Sequence, residues 1–548
     1  MSFFKACELV KQRPSEAIDM KQHLRRWAVP LLVFVLSLIF HLTVNKIFIL
    51  DIEEATHIGK VVRTMRGDLP LQHFVQFTYA PGHYFSFAAL FWLFSPSLVI
   101  ERLAWTVLRA LVSMLMYLTA RRLMPSGYAL LPVVLITVLP CSHWKTFYPF
   151  FTLLNLLCVF HLVDGFAKKW VIRSGLVAGL TLCFRQDLAL IFGGITACCM
   201  LLNSFGSLKE GVLSFKARTQ FFIVSNMQTI GLYFMMMLLP FLPVLGYYFL
   251  RGSAIVLLRE MFVGHPSRHL KVVHHMPFHF PGIGQLFRWP LNLEVVFLWL
   301  PLVLFVFILI SLASRLFREK HFGVENRRIS ALLLASILIY NQTYLYAIFE
   351  RLLESAAPIY LCTGYVIYRV HSKIRNRNIG QHGIRTAKHI FSWATLVLLF
   401  IILVVFVYYG LTVKYTNDRL FSRHHPDAII RSESGIWLPR KWFHKRLTPA
   451  RTFLKSEGSR RDLILFLEGS LNYFITDQKG LKSLEFTVKP LTPEALKRDL
   501  EINAPRFLAI ENWAYYTVQG FPPDLRECLT EKYAFRIKKG VYHIYEKQ

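Results

Sequence analysis

Three carboxylates, Asp51, Glu53 and Glu54, follow directly on an apolar run from Trp27 to Leu50, and His57 comes one helical turn later. A carboxylate at a membrane boundary feels low dielectric and nearby dipoles together, so its basicity can be set for proton abstraction. The same residues would equally suit a solvated helix start, because acids favour helix N-termini. A second group is Arg185, Gln186 and Asp187, in a tight turn between two apolar runs. An ionisable pair at such a depth is costly, and serves either phosphate or sugar binding or a salt bridge between helices. The loop from Gly264 to Pro281 holds His265, His269, His274, His275 and His279 together with Arg268 and Lys271. Those spacings match no motif such as His-Glu-x-x-His, and the loop has no acidic residue. It reads as an anion-facing lid, a plain interfacial loop or, least well, a metal site. Arg351 and Glu354 stand in a further polar connection, where a ligand contact and an interfacial salt bridge are both open.

What must hold these residues is a membrane protein. Of 548 residues 54% are hydrophobic and only 18% charged, which soluble domains rarely match. Runs near the length needed to cross a hydrocarbon core recur throughout. The net charge of +30 invites a nucleic-acid partner, but Lys and Arg gather in short loops between apolar runs, as the cytoplasmic side of a membrane protein requires. No short apolar segment with a cleavage site opens the chain, so the first run reads as a retained span. The eight cysteines form neither a disulfide framework nor a metal pattern.

Spans are expected near 27–50, 101–122, 127–141, 149–165, 171–184, 187–203, 226–250, 292–313, 329–349, 355–370 and 389–411. Eleven is the count that puts the loops carrying Arg25 and Arg26, Arg121 and Arg122, Lys168 and Lys169, Lys209 to Arg218, Arg315 to Arg328 and Arg369 to Arg377 all on one side. A cytoplasmic segment 1–26 then precedes a membrane domain 27–411 whose first outer loop is 51–100. Residues 80–98 are apolar enough to tempt a further span, but that span would invert every later loop, so a helix lying in the interface with Trp92 at headgroup level fits better. Beyond 412 the chain lies outside, and its composition turns to that of a soluble domain. Leu463–Leu467, Arg506–Ile510, Tyr533–Ile537 and Val541–Tyr545 read as strands, the last two as a hairpin turned at Lys539-Gly540; 493–502 reads as a helix. The fold class is thus mainly α, polytopic, with a small extracytoplasmic α/β domain in 412–548.

The layout of DIEEATHIGKVVRTMRGDLP (51–70), HFVQFTYAPGHYF and ERLAWTVLRALVSMLMYLTARRLMP resembles the first loop and second span of the GT-C glycosyltransferases, among them protein O-mannosyltransferases and lipid A aminoarabinose transferases. The shared features are acids at the outer end of the first span, a helix closing in Gly67 to Pro70, the turn Tyr79-Ala80-Pro81-Gly82, Arg102, and Arg121-Arg122-Leu123. GLTLCFRQDLAL resembles the Phe-Arg-His/Gln-Asp turn of prokaryotic members, and 265–281 their basic outer loop. LEGSLNYFITDQKG and INAPRFLAIENW are similar to their terminal domain. Asp-Ile-Glu-Glu departs from the commoner Asp-Glu form, and His73 stands where many relatives carry an acid.

The resemblance implies an inverting glycosyltransferase of the plasma (inner) membrane, taking sugar from a polyprenyl-phosphate donor on the extracytoplasmic face. Its acceptor would be a glycan, lipid or protein. Asp51 is expected as base, with Glu53 and Glu54 as its competitors. Such a displacement needs one base opposite the leaving phosphate and cations to stabilise that phosphate. Arg102, Arg185, Arg268, His269, Lys271 and Arg351 are the candidates, with Asp187 beside Arg185. His57, His73, Tyr79, His83 and Glu354 are expected to place the loop or the acceptor. No cofactor is called for with certainty; the carboxylates could bind a divalent cation or work alone. A flippase of lipid-linked intermediates would instead need ionisable residues at mid-span and symmetric halves. A scaffold would need no converging carboxylates and cations.

Overall fold

The computed structural model describes residues 20–44, 52–65, 67–72, 80–94, 98–139, 145–207, 215–264, 293–319, 323–345, 352–376, 429–431, 437–439, 448–457, 463–467, 482–486, 506–511, 523–539 and 542–548. They are mainly helical. Among the described residues two helices, over Val99–Ala120 and Phe147–Gly165, are long and apolar enough to cross a membrane, and a bent pair raises the number to three. Shorter apolar helical stretches occur at Trp27–Thr43, Gly82–Phe94, Ser126–Val138, Gln186–Leu201 and Trp299–Arg315.

Helix α1 (Met20–Val44) shows how these helices are divided. Val33, Ser37 and His41, four residues apart, face inward, while Leu32, Leu36 and Ile39 are each more than half exposed. An apolar face left so open fits contact with lipid tails. The inward face packs on α4 (Leu98–Ala120), where Ser37 Oγ meets Ser113 Oγ at 2.8 Å. Between them in sequence lie α2 (Ile52–Met65) and α3 (Gly82–Phe94), which pack on each other. Helix α2 ends where Gly67 takes φ +98°, with Gly67 N–H bonded to Thr64 O and Asp68 N–H to Arg63 O. This is the left-handed glycine stop that the Gly-x-x-Pro sequence encodes. Helix α3 buries His83, Tyr84, Phe87 and Phe91 on one side and leaves Trp92 80% exposed, as expected of a helix that is half in and half out of the protein.

The bundle continues through α5 (Ser126–Val138), α6 (Phe147–Gly165), α7 (Lys168–Phe184), α8 (Gln186–Ser207) and α9 (Phe215–Leu238). Helices α7 and α9 approach through Gly175 and Gly179, a small-x-x-x-small pair. A Cβ at Gly179 would lie 2.2 Å from the Met237 carbonyl oxygen. The seventh expected span, 226–250, is not one straight helix. It breaks after Leu238 and resumes at 51° as α10 (Leu242–Leu250). Pro240 and Pro243 explain the break, since proline lacks the N–H and crowds the preceding turn. The remaining helices of this region are α11 (Ala254–Arg259, running into a π turn at Glu260–Gly264), α12 (Leu293–Glu319), α13 (Val324–Leu345) and α14 (Leu352–Asn376). The eleventh expected span, 389–411, lies outside the described residues.

At one end of the bundle Asp164, which closes α6, is bridged by Arg122 at 3.2 Å and by Arg328 of α13 at 2.5 Å. Beside it the His161 ring stacks flat on Trp170, and Arg173 lies 4.8 Å from that indole. The C-terminal region forms a mixed five-stranded sheet of β1 (Leu463–Leu467), β2 (Lys482–Phe486), β3 (Phe507–Glu511), β4 (Tyr533–Lys539) and β5 (Tyr542–Lys547), in the order β2-β1-β3-β5-β4. β1 pairs parallel with β2 and β3; β5 pairs antiparallel with β3 and β4. The expected strands and hairpin are present, with a helix at Pro523–Lys532; the helix read at 493–502 lies outside the described residues. Edge strand β2 lies alongside α2.

Candidate functional site

The other end of the bundle brings the first loop onto the turn between α7 and α8. Ala80 N–H donates to Phe184 O at 3.2 Å, and Tyr248 of α10 donates its hydroxyl to Pro70 O at 2.6 Å. Gly82 is needed for this approach, because a Cβ there would sit 2.6 Å from the Cys183 carbonyl oxygen. The sequence reads Ala-Pro-Gly at this point for a geometric reason.

Arg185 closes α7 in an extended conformation and is 5% exposed. Its Nε and Nη2 both donate to the Asp187 carboxylate, the second at 2.8 Å, and its guanidinium lies 4.1 Å from the Tyr148 ring centroid. Carboxylate and ring fix the plane of the fork. Gln186 beside it is buried and reaches Met261 O at 3.4 Å.

From Tyr148 a chain of rings leads to the first loop: Phe147, then His83, then His57, whose ring centroid is 4.2 Å from that of His83. His57 Nδ1 lies 2.6 Å from Glu101 Oε1, which Trp105 Nε1–H also approaches at 3.3 Å. Burial, and after it the charge of Lys60, pushes the His57 ring down to about 3. The ring is therefore neutral at physiological pH, with Nδ1–H donating to the carboxylate. Burial and the neighbouring His57 hold His83 well below the usual histidine range.

Between α3, α4, α6 and the end of α7 lies an apolar cavity of about 270 Å³, lined by His83, Phe87, Trp105, Phe147, Phe151 and Phe184 among others. Phe147 of this lining lies 4.8 Å, centroid to centroid, from the Tyr148 ring over which Arg185 is placed, so one ring separates the chamber wall from the buried guanidinium. Six basic side chains are buried among the described residues, Lys60, Arg63, Arg102, Arg109, Lys145 and Arg185, against two buried acids, Glu101 and Glu260. Arg63 is held by Asp68 at 2.6 Å and Arg109 by Thr146 Oγ1 at 3.3 Å. Arg63 and Arg185 are matched by the part-exposed Asp68 and Asp187, and basic groups gathered in this way suit an anionic ligand.

The expected residues thus fall into three sets. His57, His83, Arg102, Arg185 and Asp187 belong to this end of the bundle, and all but Asp187 are buried. Glu53 and Glu54 occupy the first turn of α2, and Glu354 the first turn of α14. Asp51, His73, Tyr79, Arg268, His269, Lys271 and Arg351 lie outside the described residues. Among the described residues no group of three metal-type ligands occurs. Glu101, Trp105, Lys145, Tyr148 and Arg109 were not anticipated. Glu101 and Lys145 could have been noticed as charges at the edges of apolar runs.

No family model matches this sequence, and no curated protein does. Among solved structures the chain is similar to the archaeal oligosaccharyltransferase AglB from Archaeoglobus fulgidus, described in complex with an inhibitory peptide and a dolichol-phosphate. That likeness has a TM-score of 0.49 at 10% identity and covers 96% of this chain and 75% of that one. It is similar also to ArnT from Cupriavidus metallidurans bound to undecaprenyl phosphate, with TM-score 0.49, 12% identity, and 96% and 98% of the two chains covered.

Proposed function

We propose that the protein is an inverting glycosyltransferase that moves a sugar from a polyprenyl-phosphate donor to an acceptor on the extracytoplasmic face. The observation that carries this reading is the link, through Phe147 and Tyr148, between an aromatic chamber and a buried, oriented arginine at the turn onto which the first loop is bonded. A lipid phosphate has that same division: an apolar chain for the chamber and an anionic head for Arg185, with Arg102 and Lys145 also buried at this end of the bundle.

In the reaction, an acceptor hydroxyl attacks the anomeric carbon from the face opposite the phosphate. Asp51 takes its proton, the bond from the anomeric carbon to the phosphate oxygen breaks, and the electron pair leaves on the lipid phosphate. No second acid is required, because the leaving group departs as an anion. The cations lower the barrier by stabilising the charge that collects on the phosphate oxygens. About eleven spans, with the region beyond 412 and the first loop on the same outer side, complete the reading. Mannose-, glucose- and arabinose-type donors are all compatible with it.

The test is transfer by the purified full chain from a polyprenyl-phosphate sugar to candidate acceptors. Asp51→Asn should lower the rate by roughly 10²–10⁴-fold with protein level and donor binding unchanged, and Glu53→Gln and Glu54→Gln should each cost less. Turnover lost in Glu53→Gln but kept in Asp51→Asn moves the base to Glu53. Movement of the donor across the bilayer without transfer by any of these proteins makes the chain a flippase.

A further inference from the structure

The end of the bundle opposite the site carries a second arrangement that the reaction does not use. Helices α12, α13 and α14 meet there around Glu325 at the start of α13. Three donors converge on its Oε1: Arg315 Nη1 at 3.2 Å, Arg369 Nη1 at 3.2 Å and the Tyr365 hydroxyl at 3.0 Å. Arg315 also donates to Tyr365 Oη at 2.9 Å and to Asn326 Oδ1 at 3.3 Å. Two guanidinium groups share one carboxylate, which leaves a net positive charge. The Arg369 side chain, 39% exposed, makes no other hydrogen bond among the described residues, so its Nε and Nη2 still have donors to give.

These two arginines stand at the head of a shallow groove between α12 and α14, floored by Phe307, Ile308, Leu312 and Val366. The outer face of α12 that continues from it is apolar and open, with Val303, Val306, Leu309 and Ile310 each more than half exposed. A soluble surface would not tolerate such a strip. Its chemistry runs from hydrocarbon to fixed positive charge within a few turns of helix, which is the division of a membrane lipid.

We propose that this groove binds one anionic glycerophospholipid of the leaflet opposite the glycosyl-transfer site. Its phosphodiester sits against Arg369 and Arg315, and an acyl chain lies along Val303, Phe307 and Ile310 on the open face of α12. The single negative charge of the diester matches the single positive charge left over by the Arg315–Glu325–Arg369 group. A zwitterionic lipid would bring its own ammonium to an already cationic place, so phosphatidylcholine is disfavoured. The occupant is structural: it ties together three helices and takes no part in transfer, and the inference stands whatever the protein's activity.

The experiment uses the full chain, delipidated in a neutral detergent, with phosphatidylglycerol, phosphatidylcholine or inorganic phosphate added. Native mass spectrometry counts retained lipid, and thermal unfolding reads stabilisation. One phosphatidylglycerol should stay bound and raise Tm, while phosphatidylcholine and inorganic phosphate do neither. Arg369→Gln should weaken phosphatidylglycerol about fivefold, as loss of one basic group near a headgroup does, and Arg369→Lys should restore most of it. Because Arg369 is half-exposed, both variants are expected to fold; circular dichroism checks this, and if Arg369→Gln fails it, Phe307→Ala carries the same test on the acyl chain. Equal retention of the two phospholipids, or unchanged binding in Arg369→Gln, overturns the proposal. Stabilisation by inorganic phosphate alone would reduce the site to a simple anion site and overturn it too.

Discussion

The two ends of the helical bundle treat positive charge differently. At one, Arg122 and Arg328 close on Asp164, and Arg315 and Arg369 on Glu325, in pairs that are half open to their surroundings. At the other, Lys60, Arg102, Lys145 and Arg185 are almost wholly enclosed, amid aromatic rings and neutral histidines. Partly exposed pairs cost little to form and contribute little, so they set helix register and topology. Enclosed cations are costly, and a fold keeps them when a ligand needs them. The same residue type therefore ties helices through partly exposed pairs at one end and, at the other, is enclosed where the proposed phosphate site lies.

This contrast can be broken first at Arg185. Arg185→Lys keeps the charge but loses the fork that spans Asp187, and a point charge does not stack on Tyr148 as guanidinium does. Donor affinity should fall by about 10²-fold, in line with loss of a charge-assisted hydrogen bond, read as a raised KM with unchanged protein yield. An unchanged KM would make Arg185 one more helix lock. The next effect is steric. Gly82→Ala forces a Cβ against the Cys183 carbonyl and should lift α3 from the α7–α8 turn at a cost of about 1–3 kcal/mol. Turnover should drop while the far end keeps its thermal behaviour.

Acid should separate the ends further. His57 and His83 are neutral when folded and take up protons on unfolding below the ordinary histidine pKa of about 6.5. Their stabilisation is complete above that pH and is lost as pH falls below it, for His57 toward about 3, at up to about 1.4 kcal/mol per pH unit for each ring. Thermal unfolding between pH 7 and 4 should show this slope, and His57→Gln should flatten it. The smallest effect belongs to the locked end. Arg328→Gln removes one arm of the Asp164 bridge and should cost about 1 kcal/mol, with kcat of the folded protein unchanged.

The sequence showed the parts of this molecule whose physics is local. Apolar length located most helices, the Gly67–Pro70 stop was readable, and the strands around Leu463–Leu467 and the final hairpin followed from alternation. The bend after Leu238 was written in Pro240 and Pro243 but was outweighed by continuous hydrophobicity. Arg185 with Asp187 was legible because two residues suffice to make the pair. Glu101 with His57 was not, since 44 residues separate them and only the packing of α2 on α4 brings the imidazole to the carboxylate. The same holds for Tyr148 under Arg185, where an ordinary aromatic residue in an apolar run becomes the floor of the site.

The hydrogen bond from Tyr248 to the Pro70 carbonyl joins residues 178 positions apart. A ribosome adding about 5–20 residues per second needs roughly 10–40 s to make that stretch. Until residue 184 is made the first loop lacks its backbone bond to Phe184, and until residue 248 is made it lacks the tyrosine that steadies its closing turn. The nascent chain thus carries its candidate base on a segment awaiting later helices, and a product released before α10 would hold the candidate site residues with the closing turn unsecured. Limited proteolysis of ribosome-bound chains arrested before and after residue 248 should therefore find the Gly67–Leu71 turn cut readily in the first and protected in the second.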